Sequence, residues 1–167
     1  MHLFILAGAL AMSQTQKAVQ PTPPELQQLA RLVGGRWVGE AKGPDGNPFV
    51  EFVFTMSKNG LLLRGMGTVL KGTPQEFNID SRIGWDPAKK RVYYADFHGS
   101  DTFYMGVVTS EKDGLMIDFE KVIGGSGRYV THIRFPDKET YIGTIQGVKN
   151  GKLVGEKEEI HLRRVQS

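Results

Sequence analysis

Residues 112–135 read KDGLMIDFEKVIGGSGRYVTHIRF, and their pattern sets the architecture. Lys112-Asp113-Gly114 is a hairpin signal, because aspartate and glycine tolerate the positive φ that tight turns demand. After it Leu115, Ile117 and Phe119 share one face, opposite Asp118 and Glu120. This period of two marks a strand with one buried face, since successive side chains leave a pleated backbone on opposite sides. Gly124-Gly125-Ser126-Gly127 interrupts the run as a loose loop. Tyr129, Thr131, Ile133 and Phe135 then oppose Arg128, His132 and Arg134. Two strands of this kind on consecutive chain form an antiparallel pair.

The same alternation extends both ways. Strands are expected at about 36–42, 49–57, 61–70, 76–85, 91–98, 102–109, 114–122, 128–135, 140–147 and 152–165. Turn clusters separate them, the strongest being Asn59-Gly60, Asp113-Gly114 and Asn150-Gly151. About ten short strands joined by tight turns make an up-and-down antiparallel sheet, and closure into a barrel removes its edges. Before them, Pro23-Pro24-Glu25 followed by LQQLARLVGG reads as a short helix. Thr22 is its expected cap, Leu26, Leu29, Leu32 and Val33 its apolar stripe, and Gly34-Gly35 its stop. The expected fold is all-β: an antiparallel up-and-down barrel of about ten strands, with a short N-terminal helix as lid or plug.

Composition agrees. The chain has 167 residues, enough for one domain with a full core and too few for two. Glycine is 21 of them, about 13% against an average of ~7%, which suits many turns and bulges. Cysteine is absent, so disulfides, thiolate metal sites and cysteine nucleophiles are excluded. A net charge of +3 is too small to argue for nucleic acid, and Lys89-Lys90-Arg91 reads as a solvated hairpin tip.

Residues 3–12 (LFILAGALAM) form an uncharged apolar run, too short to span a bilayer and suited to the core of a secretory signal. The expected organisation is a signal over 1–13, a linker over 14–23 and the barrel domain over 24–167. Export to the periplasm or beyond is the expectation, with a cytoplasmic protein bearing an N-terminal extension as the alternative.

Alternation turns Val50, Phe52, Phe54 and Met56 to one face of the second strand. The inward set is aromatic, and Phe52, Phe54, Tyr94, Phe119 and Tyr129 are the expected contacts of a small apolar or amphipathic ligand. A fully packed core fits the same pattern, and alternation alone favours it. Leu61-Leu62-Leu63, Tyr93-Tyr94 and Phe103-Tyr104-Met105 are apolar on both faces. They call for cover by the helix or by a second subunit, as in a homodimer.

Helix, then Gly35-Arg36-Trp37, then a last strand bearing Arg163 and Arg164 resembles the lipocalin (calycin) pattern. That resemblance implies a barrel whose end is plugged by Trp37 under Arg163 or Arg164, a guanidinium-on-indole contact. The segment LARLVGGRWVGEA, with Ile83-Gly84-Trp85-Asp86 and Arg91-Val92-Tyr93-Tyr94, is similar to a bacterial family of lipocalin-like barrels of unknown function, often exported. Haem-binding nitrobindin-like barrels share an opening of spaced leucines before G-x-W-x-G. They hold haem through a late histidine, for which His161 is the one late candidate here.

Other chemistry is thinner. His98-Gly99-Ser100-Asp101 sets triad residue types side by side, whereas working triads assemble from separated segments. Asp96 and His98 project to one face and would need a third ligand from another strand to hold a metal; the ordinary reading is an exposed pair near a strand end. His132 and His161 are expected on the outside. No catalytic residue, metal or cofactor is assigned. The functional expectation is non-enzymatic binding of a small ligand. The alternatives are a haem-binding or acid/base barrel using Asp96, His98 or His161, and a packed barrel serving as an interaction domain.

Overall fold

The structure is a computed structural model describing residues 21–40, 46, 49–99 and 101–166. The expected signal and residues 14–20 of the expected linker lie outside the described residues. Ten strands follow one short helix: β1 (Arg36–Gly39), β2 (Val50–Met56), β3 (Leu62–Val69), β4 (Phe77–Asp86), β5 (Arg91–His98), β6 (Thr102–Glu111), β7 (Gly114–Ile123), β8 (Arg128–Arg134), β9 (Thr140–Lys149) and β10 (Lys152–Val165). Each pairs antiparallel with its neighbours in the chain, and β1 also pairs with β10 from Arg36↔Val165 to Gly39↔Leu162. The sheet is therefore a closed barrel without free edges.

Helix α1 (Pro24–Leu29) continues as a 3₁₀ turn over Ala30–Leu32. Leu26, Leu29 and Leu32 recur every third residue, the period of that tighter winding, and all three are buried in the barrel core. Two details differ from expectation. Pro23 is the cap residue and no side chain caps the helix; the Thr22 carbonyl instead accepts a bond from Gln27 Nε2. Val33 falls off the stripe and is partly exposed once the winding tightens. Glu25 reaches Ser110, and Arg31 lies over the Phe135 ring, which fixes the helix at one end of the barrel.

That position settles the two-sided strands. The helix plugs an end and does not cover β3, β5 and β6 from outside. Leu62, Met66, Phe97 and Met105 stay exposed, and Phe97 stacks on Phe103 at 4.5 Å. The turns also vary: of Asn59-Gly60, Asp113-Gly114 and Asn150-Gly151, only the last has both residues at positive φ, 52° and 73°.

Why the barrel is not filled follows from its register. Phe52 lies opposite Gly67 and Phe54 opposite Gly65. Gly106 lies between Tyr94 and Phe119, and Tyr129 faces Gly147. A Cβ added at Gly65 would stand 2.6 Å from Phe54 Cε1, and one at Gly67 would stand 2.4 Å from Phe52 Cδ1. These two rings thus lie flat against the barrel wall, in the space a glycine leaves. Rings laid along the wall leave the axis open.

Candidate functional site

At the helix end the barrel is shut. Trp37 is fully buried, its Nε1 donates to the Leu32 carbonyl at 2.8 Å, and the Arg164 guanidinium stands 4.8 Å from the indole centroid. Cross-strand pairing of Trp37 with Arg164 sets this contact. Arg164 also donates to the Arg31 carbonyl and lies 3.4 Å from Glu139. Arg163 turns outward to Glu40 and Thr140. Gly35 reaches φ 74° where the chain enters β1, with Arg164 close against it. Of the two arginines, Arg164 is the cover.

Beyond this plug lies a cavity of about 300 Å³. Leu29 and Leu32 floor it, and Phe52, Phe54, Tyr94, Phe119 and Tyr129 all line it. The packed interior favoured by alternation is thus overturned. Alternation reports which way a side chain points; it does not report whether opposite walls meet. Tyr104 completes an aromatic wall, with Tyr94–Phe119, Tyr104–Phe119 and Phe119–Tyr129 centroids 5.4, 5.6 and 5.6 Å apart.

One corner of this apolar chamber is polar. Asp96, only 4% exposed, points inward from β5. Its Oδ2 accepts from Tyr94 OH at 2.5 Å and lies 2.6 Å from His98 Nε2, while its Oδ1 accepts from Ser81 Oγ on β4. Three partners therefore hold one buried carboxylate, as such a group requires. Burial, then the Asp96 charge and their hydrogen bond, push the Tyr94 phenol well above its ordinary range. Burial and, second, the same charge also raise the Tyr141 phenol. Both remain protonated donors at neutral pH. His98 is sandwiched between Phe77 and Tyr104 at 5.4 and 4.8 Å, and Lys121 Nζ stands 5.4 Å over the Tyr104 ring.

The expectation that Asp96 and His98 are an exposed pair is corrected: both line the cavity. Their shared face was legible from spacing, but Tyr93-Tyr94 makes the strand apolar on both sides, so the sequence does not say which face is inside. Asp96 and His98 bond to each other, and no group of three or more His, Cys, Asp or Glu able to hold a metal occurs among the described residues. His161 is on the outer face beside Glu40 and Glu159, so it does not reach the cavity as a haem ligand would. His132 is also outside, 2.8 Å from Glu111. Ser81, Tyr104 and Tyr141 were not among the expected site residues. Their signal is cross-strand register, which one sequence does not display.

No protein-family description matches the chain, and no curated protein matches it. The crystal structure of Rv2717c from M. tuberculosis is similar, with a TM-score of 0.51 and 18% identity over 87% of this chain and 100% of that one. The likeness is one of fold.

Proposed function

We propose that the protein is a lipocalin-like binder that holds one small amphipathic molecule inside its barrel without transforming it. One observation carries this reading: a barrel shut at one end by Trp37 and Arg164 retains a chamber of about 300 Å³, lined mostly by apolar side chains, with Ser81, Asp96 and His98 gathered in one polar corner. That volume is at the lower end of the roughly 300–1,000 Å³ typical of small-molecule sites. Burying a ligand there gains about 25 cal/mol per Å² of apolar surface, while the polar corner fixes its orientation. Phe52, Phe54, Phe119 and Tyr129 supply the apolar contact, and Tyr94 links the wall to the polar corner.

Uptake of n-octanol by the wild-type chain and by Phe54→Arg, followed calorimetrically, tests this. Binding to the wild type and its loss in a folded Phe54→Arg variant are expected. Equal uptake by both would place the ligand elsewhere. A second reading, proton transfer in the cavity, has one observation in its favour: the His98 Nε2–Asp96 Oδ2 contact, the arrangement that orients a general base. Under that reading His98→Gln would abolish turnover of a bound ligand while leaving its uptake intact.

A further inference from the structure

Among the described residues, Asp96 is the one carboxylate that lines the cavity, and no Lys or Arg lines it. His98 is the one imidazole on that lining among the described residues, 2.6 Å from Asp96 and a counter-charge to it when protonated. A carboxylate offers about four acceptor positions, and Tyr94, Ser81 and His98 fill three of them. One acceptor position is left over, and removing Asp96 would strand the Tyr94, Ser81 and His98 groups that now bond to it.

The wall beside it suits positive charge. Tyr94, Tyr104, Phe119 and Tyr129 form a continuous set of rings, and aromatic faces attract cations most where water is excluded. The Tyr104 ring already draws the Lys121 ammonium to 5.4 Å. Lys121 itself stands near the barrel end opposite the helix and is partly exposed, so solvent and salt screen it more than they screen Asp96. A ligand carboxylate in the same corner would meet the Asp96 charge across a medium of low dielectric.

We infer that the polar corner is an ammonium seat: the bound molecule is a small primary amine, its nitrogen facing Asp96 and the aromatic wall, its apolar tail running toward Leu29 and Leu32. This rests on the proposed role of the cavity as a ligand site and adds the charge of the head group.

Three ligands of equal tail separate the two claims: n-octylammonium, n-octanol and n-octanoate, titrated calorimetrically into the full chain near neutral pH. The expected order is octylammonium first, octanol about tenfold weaker and octanoate weakest, from one charge-assisted bond plus ring contact. Asp96→Asn, which keeps the shape and one acceptor oxygen, should remove the octylammonium advantage and leave octanol within about threefold, since its head group donates a neutral hydrogen bond. Octanoate binding as tightly as octylammonium, or an advantage unchanged in Asp96→Asn, would overturn the ammonium seat while preserving the cavity as a binding site. Failure of all three to bind the wild type would overturn both. Should Asp96→Asn not fold, the wild-type order of the three heads decides alone.

Discussion

The two ends of this barrel solve opposite problems. At the helix end Trp37, Leu26 and Leu29 are buried completely or nearly so, and the one polar atom of the indole has a backbone partner. The exception is Arg164 Nε, which is buried without a hydrogen-bond partner among the described residues, 3.4 Å from Glu139. Toward the β5–β6 turn, Asp96 is buried as deeply but carries a charge, and its partners Tyr94, Ser81 and His98 border open space. The first end is built for closure; the second keeps a buried, hydrogen-bonded charge beside open space. A site shows itself as the place where a buried polar cluster is kept beside open space.

The comparison breaks first, if it breaks, on stability. Trp37→Ala should cost about 3–5 kcal/mol, as large aromatic truncations in cores do, whereas Asp96→Leu, which strands the Tyr94, Ser81 and His98 groups bonded to the carboxylate, should cost about 1–3 kcal/mol. Urea unfolding of both variants checks this, and a larger loss in Asp96→Leu would reverse the assignment of the two ends. Next comes the wall. A Cβ at Gly106 would stand 2.2 Å from the Asp118 carbonyl oxygen, so Gly106→Ala should cost about 1–3 kcal/mol and lower the melting temperature measured by circular dichroism. Arg164→Lys retains charge but loses the planar stack on Trp37, and a loss of about 1 kcal/mol is expected in the same assay.

Two pH effects are smaller. The Tyr94 and Tyr141 phenols are raised in the folded chain. Their contribution is thus complete below the ordinary phenol value near 10 and is lost as pH rises beyond it. Stability should fall above that point, and less steeply in Tyr94→Phe. On the outer face, Arg64 and Arg82 hold Asp80 down to about 2, at 2.9 and 3.0 Å. Its contribution is present above the ordinary carboxylate range and is lost as pH falls through about 2. Screening keeps it below about 1 kcal/mol, and the acid limb of Asp80→Asn, compared at low and high salt, would show it.

Legibility in the sequence follows the same division. All ten strands were readable, because period-two patterning and turn residues are local signals, while the plug role of Trp37 is what the resemblance of Gly35-Arg36-Trp37 to the lipocalin pattern implies. The hollow interior was not readable. It depends on Gly65, Gly67 and Gly106 standing across from Phe54, Phe52 and Phe119, and glycine counted in bulk reads as turns. Asp96 was visible, but its burial depends on which face of a two-sided apolar strand turns inward, and on a serine one strand away.

The most direct measurement is native mass spectrometry of freshly purified full-length protein, followed by the same sample denatured. Extra mass on the folded chain that is lost on denaturation, and absent from Phe54→Arg, is expected of a barrel that carries a ligand. An identical bare mass in both states, unchanged after incubation with the octyl series, would contradict it.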